Sequence, residues 1–122
     1  MNLKEKLITV RDDYVKNQAA NAKLPEFEES RILRYRIQFS GRVQHVGFRL
    51  ELSELAKRLD LHGFAENMEN GDVIAELQGE EMRIQYLIHF MDHLKRIKIK
   101  NMKIEEIACV DDEIGAGGKY HF

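Results

Sequence analysis

Residues 33–59 read LRYRIQFSGRVQHVGFRLELSELAKRL, and the hydrophobic period changes in the middle of that stretch. Leu33, Tyr35, Ile37 and Phe39 alternate with Arg34, Arg36 and Gln38, the pattern of a strand with one buried side. Phe48, Leu52, Leu55, Ala56 and Leu59 fall instead at helical spacing, which predicts a helix from about Phe48 to Asp60. Gly41 is expected to close the strand, so Gly41 to Arg49 is the connection. Downstream, His62 to Met68 reads as a strand, Asn70-Gly71 as a two-residue type I′ hairpin turn, and Asp72 to Gln78 as the partner strand, broken by Gly79. Ile84, Leu87, Met91 and Leu94 define a helix over about Glu80 to Arg96. Lys98 to Val110 is extended, Gly115 to Gly118 a flexible turn, and Tyr120 to Phe122 a short last strand.

The order after Arg31 is therefore βαββαβ plus a terminal strand. Each helix offers one apolar face and each strand one apolar side. The fold class is α+β: a two-layer ferredoxin-like sandwich with both helices on one face of an antiparallel sheet. Upstream, Leu3, Leu7, Val10 and Tyr14, widened by Ile8 and Val15, predict an extra N-terminal amphipathic helix over residues 3–15. Lys23 to Ser30, with the only proline, Pro25, reads as a linker. The chain divides into an N-terminal helical extension and linker, residues 1–30, and a domain, residues 31–122. The strand that leads into the Gly41–Arg49 loop begins only near Arg31, so the extension is expected to be dispensable for chemistry. Its readings are a cap on the sheet, a handle for dimers, or an arm of low stability.

A chain of 122 residues, 43% hydrophobic and 33% charged, has the length and composition of one soluble globular domain. With 19 basic against 21 acidic residues the net charge is −2, which argues against a nucleic-acid-coating domain, and no glycine-aromatic RNA-binding pattern is present. No apolar run approaches the roughly 20 residues of a membrane span, and MNLKEKLITV carries charges where a signal peptide is apolar. The expectation is a cytoplasmic protein. Cys109 is the only cysteine and is expected to be a small buried strand residue; it can form no internal disulfide. His89 and His93, four apart, have metal-ligand spacing but no evident third ligand, and read as a solvated helix face. Met68, Met82, Met91 and Met102 read as core filler.

Between Arg31 and Arg58 the cations Arg31, Arg34, Arg36, Arg42, Arg49, Lys57 and Arg58 outnumber Glu51 and Glu54. This is either a solvated face or a field that draws a small anion. Lys95, Arg96, Lys98, Lys100 and Lys103 read as the wet side of a helix end and strand. The loop Gly41 to Arg49 has the same two readings. It is a plain turn, or an anion cradle in which amide N–H groups and a helix N-terminus converge. Arg49 at the helix entrance offers a planar fork for two phosphate oxygens. Asn67 reads as a turn residue ahead of Asn70-Gly71.

GRVQHVGFR resembles the signature loop of the acylphosphatases, Gly-x-Val-Gln-Gly-Val-x-Phe-Arg. The similarity continues through LAKRLDLHGFAEN, the NGD hairpin and VIAELQGE, and covers about Leu33 to Phe122, with Gly63 to Asn67 matching Gly-aromatic-x-x-Asn. The resemblance implies hydrolysis of the carboxyl-phosphate bond of acyl phosphates to carboxylate and inorganic phosphate, with no metal and no cofactor. By position, Arg49 resembles the phosphate-binding arginine and Asn67 the asparagine that positions the attacking water. The backbone of Arg42, Val43, Gln44, His45, Val46 and Gly47 resembles the phosphate loop. The implied partners are a small-molecule acyl phosphate and inorganic phosphate as product or inhibitor, with no nucleic acid and no membrane. The expected state is a monomer, the N-terminal helix being the surface for any dimer. His45 replaces the usual second loop glycine, and the loop is expected to keep the family's shape with His45 directed away from its centre. Met1 to Ser30 has no counterpart in compact members. The alternative is a catalytically silent anion-binding or partner-docking module of the same fold.

Overall fold

In the computed structural model, which describes residues 2–111 and 120–122, the order is α1 (Leu3–Asn21), β1 (Ile32–Arg42), α2 (Phe48–Arg58), β2 (His62–Asn67), β3 (Val73–Glu80), α3 (Glu81–Asp92) and β4 (Lys98–Ile107). The expected turn Gly115 to Gly118 lies outside the described residues. The sheet is antiparallel with strand order β2-β3-β1-β4, the arrangement expected for a ferredoxin-like sandwich. Leu33, Ile37 and Phe39 of β1 and Val73, Ala75 and Leu77 of β3 share one face. They are buried with Leu52, Leu55 and Leu59 of α2 and Ile84, Leu87 and Met91 of α3. Each such side chain stabilises the fold by roughly 1.5–3 kcal/mol on leaving water, less for alanine, so the period-2 and period-3.6 patterns meet in one core.

Arg34 and Arg36 of β1 lie on the other face, and most of the cations between Arg31 and Arg58 are engaged in the fold. Arg34 and Arg36 both bind the Glu76 carboxylate, at 2.9 and 2.8 Å. Burial works to raise the Glu76 pKa, but hydrogen bonds and charge from Arg36 and Arg34 win and hold it below the usual carboxylate value. Arg31 pairs with Glu81 and Glu106, and Arg58 donates to the carbonyls of Ala19 and Ala22 at the end of α1. The run from Arg31 to Arg58 is thus largely structural rather than a convergent field.

Several boundaries differ from expectation. Gly41 does not end β1: a bulge between Ser40 and Gly41 lets the strand continue, with Gly41 opposite Ile99 and Arg42 opposite Lys98. Gly41 has φ +120°, and a Cβ there would stand 2.2 Å from the Lys98 carbonyl oxygen, so this approach requires glycine. Likewise β3 runs through Gly79 to Glu80. The hairpin is not a two-residue type I′ turn, because only Gly71 has positive φ. Met68 N donates to Asp72 O (2.8 Å) and Gly71 N to Met68 O (3.2 Å), leaving a three-residue loop ended by a left-handed glycine. Helix α3 stops at Asp92 rather than Arg96, and Cys109 is exposed beyond β4 rather than buried in a strand.

The last described residues, 120–122, lie at the β2 edge of the sheet. Gln78 binds the Val110 backbone in both directions at 2.8 Å, leading the chain away from β4 over the face opposite the helices. His121 then pairs with Phe64 of β2, while Gly63 and Phe122 exchange two backbone bonds of 3.0 Å.

Helix α1 is longer than predicted and docks by a different stripe. Leu3, Leu7, Val10 and Tyr14 are exposed, whereas Val15 and Ala19 are fully buried against α2. The small side chains at this four-residue spacing allow the two helices a close approach.

Candidate active site

Phe39 near the end of β1 and Phe48 at the start of α2 meet edge-on, with ring centroids 4.9 Å apart. Their contact pins both ends of the connecting loop and is worth about 0.5–1.5 kcal/mol beyond burial. Within the loop, His45 has φ +61° and Gly47, the N-cap of α2, has φ +78°. Two left-handed residues flanking Val46 curl the backbone tightly, and among the described residues no side chain caps the N-terminus of α2. The first-turn amides of Phe48, Arg49 and Leu50 have no partner within the helix and point out of its positive end.

A cavity of about 80 Å³ lies at that point, lined by Val43, His45, Gly47, Phe48, Arg49, Leu50 and Asn67 together with Arg11 and Tyr120. It suits an anion of a few heavy atoms and not an organic ligand of drug size, which takes roughly 300 Å³ or more. Arg49 is partly exposed, and its guanidinium lies over the Tyr120 ring at 4.4 Å from the centroid. That contact orients the cation without neutralising it. No carboxylate pairs with Arg49 among the described residues.

The loop is tied on three sides. The Gln44 side-chain amide donates to the carbonyls of Met68 and Asp72, both at 2.8 Å, which fixes the hairpin following Asn67 against the loop. Arg96 Nε donates to Val46 O (3.0 Å) and its Nη1 to Gln18 Oε1 (2.8 Å). Arg96 also approaches Glu51 Oε1 to 3.4 Å with both Nη atoms. Glu51 has no exposed surface, and its Oε2 has no hydrogen-bond partner among the described residues. Burial pushes its pKa up, only partly opposed by the charge and hydrogen bond of Arg96. The early end of α3 lets Arg96 turn inward, so its reading as a solvated cation is corrected. On the third side, Arg11 Nη1 donates to His45 O at 3.4 Å.

Of the residues singled out by sequence, the structure gathers Val43, His45, Gly47, Arg49 and Asn67 at one cavity. Arg42 is exposed at the end of β1, while Gln44 and Val46 stand outside the lining and frame the loop through the bonds just described. His45 is exposed, and its backbone adopts the left-handed conformation that glycine favours. His89 on α3 and His93 just after its end are exposed with rings 4.1 Å apart, and neither lines the cavity. Sequence reasoning missed Arg11 and Tyr120. The signal for Arg11 was its place four residues before Val15 and eight before Ala19, on the stripe that docks. Tyr120 had none, since its place is set by pairing with β2, more than fifty residues away in sequence.

Fold and cavity together define a small α+β sandwich with an anion-sized pocket at a loop-to-helix junction. The family model described as Acylphosphatase matches residues 35–115. Over 71 residues the chain is 38% identical to an acylphosphatase of Vibrio vulnificus, covering 57% of this chain and 79% of that one. A Thermococcus kodakarensis acylphosphatase is 36% identical over 77 residues, 61% of this chain and 85% of the relative. The solved structure of an acylphosphatase from Coxiella burnetii superposes with TM-score 0.62 at 29% identity, covering 66% of this chain and 86% of that one. The chain belongs to the acylphosphatase family. Among the described residues no helix is long and apolar enough to cross a membrane.

Proposed function

We propose that this chain hydrolyses small acyl phosphates, with Arg49 and the amides at the loop end and first turn of α2 holding the phosphoryl group and Asn67 holding the attacking water. The observation that carries this reading is that Arg49 and Asn67, brought from α2 and β2, line one small cavity at an uncapped helix N-terminus. Water attacks phosphorus, the bond from phosphorus to the acyl oxygen breaks, and the electron pair leaves on the carboxylate. The proton lost by water ends on phosphate or in solvent. A carboxylate departs readily because its conjugate acid has a pKa of about 4, so no general acid is needed. The protein's work is positioning and charge: a fixed fork and amide dipoles on the equatorial oxygens, and a neutral side chain that both donates to and accepts from the water. Gln44 and Val46 serve by holding the loop's shape, and Arg42 joins it to the end of β1. The working form in this reading is a cytoplasmic monomer.

Hydrolysis of benzoyl phosphate by the purified chain tests the proposal, with inorganic phosphate as competitor. Arg49→Ala should lose both turnover and phosphate inhibition, by about 10³-fold in rate, because it removes a full charge and its hydrogen bonds at once. Asn67→Ala should keep phosphate inhibition and lose turnover by about 10²-fold. Phosphate binding without turnover in the unaltered chain would make it a silent anion-binding module instead.

A further inference from the structure

Val15 of α1 packs on Gly47, where an added Cβ would stand 3.0 Å from Val15 Cγ2, while Arg58 near the end of α2 holds the Ala19 and Ala22 carbonyls. The two helices therefore run side by side from Val15 onward. Everything before Val15 projects past the N-terminus of α2, by about 18 Å at 1.5 Å per residue. This overhang passes the cavity and is not supported by the core. Its apolar side chains remain in water: Leu3 is 72% exposed and Leu7 62%.

Beside the overhang lies a groove of about 580 Å³ lined by Leu3, Lys4, Leu7, Ile8, Arg11 and His45. Arg11 and His45 also line the phosphate-sized cavity, so cavity and groove adjoin at these two residues. Arg11 is held at the junction by Asp12 Oδ1 (2.9 Å) and by His45 O (3.4 Å). A ligand whose anionic end fills the cavity and whose remaining atoms pass Arg11 enters this groove. There it meets an apolar floor of leucine and isoleucine with cations at its edges. We infer that the projecting half of α1 is the acyl-binding wall of the site, selecting acyl phosphates whose acyl group is an extended apolar chain.

The inference rests on the proposed hydrolysis, and it fixes the substrate class as the simple reaction does not. Each methylene laid on the groove leaves water, so kcat/KM should climb with chain length when the phosphoryl end is held constant. Acetyl, butyryl, hexanoyl and octanoyl phosphate form the probe series. The unaltered chain should gain about tenfold or more from acetyl to octanoyl, and the double variant Leu3→Ser/Leu7→Ser should reduce that gain to about twofold or less. Val10→Ser, on the same helix but outside the groove and 67% exposed, should keep the full gain, which separates loss of the groove from loss of the helix. A flat series in the unaltered chain, or a slope the double variant does not change, overturns the inference while leaving the hydrolase reading intact. Absence of hydrolysis across the whole series overturns both.

Discussion

A substitution series at His45 tests whether the loop is held in its left-handed shape. His45 has φ +61° in the loop that turns between β1 and α2, and its side chain is exposed, so a replacement acts on the backbone rather than on packing. A left-handed backbone costs an ordinary L-residue roughly 1–2 kcal/mol, less for histidine or asparagine, and nothing comparable for glycine. Glycine repays part of its gain through the greater freedom of its unfolded chain, about 0.4–1 kcal/mol. His45→Gly should therefore be about 0.5 kcal/mol more stable than the unaltered chain and His45→Asn about equal to it. His45→Val, branched at Cβ, should be about 1–2 kcal/mol less stable. For a domain of this size 1 kcal/mol moves Tm by roughly 3–6 °C, so urea and thermal unfolding resolve the ranking. The Arg11 contact goes to the His45 carbonyl, which every variant keeps. Benzoyl phosphate turnover should survive in the Gly and Asn variants and fall in the Val variant, whose loop must relax. Equal stability of the Val and Gly variants would refute the left-handed loop.

Glu51→Gln should flatten part of the pH dependence of stability. A carboxyl with its folded pKa raised by burial holds its proton more tightly in the folded state, so stability is lost as pH rises from the unfolded value through the folded one and is level above it. The difference in urea stability between Glu51→Gln and the unaltered chain should therefore grow in the variant's favour from pH 4 to pH 7; a constant difference would contradict the buried, raised carboxyl. Deleting residues 1–22 should cost at least about 2 kcal/mol in urea unfolding, because the docking face of Val15 and Ala19 on α2 becomes exposed. It should also raise KM for benzoyl phosphate through loss of Arg11, whereas an unchanged KM would return the extension to the dispensable role its sequence suggests.

The period switch between Leu33–Phe39 and Phe48–Leu59 determined the strand, the helix and the loop between them, since burial of one face leaves its period in the residue types. The nine residues Gly41 to Arg49 and the pair Gly63 and Asn67 were enough to point to the family, because the loop's shape is local and needs particular residues at fixed offsets. Helix ends were less legible: α3 stops four residues early although Leu94 and Ile97 stay buried, so apolar spacing continued after the helix had stopped. Only the tertiary structure decided which of two stripes on α1 faces the domain. The larger apolar stripe has the greater hydrophobicity, but the smaller Val15 and Ala19 fit against α2, and shape complementarity is not written in a one-dimensional pattern. That choice brings Arg11 to the cavity from outside the matched family segment. The pairing of the last residues with β2 brings Tyr120 beneath Arg49 from the other end. Both depend on contacts between residues far apart in sequence, whose geometry is set by how whole elements pack and not by any local preference.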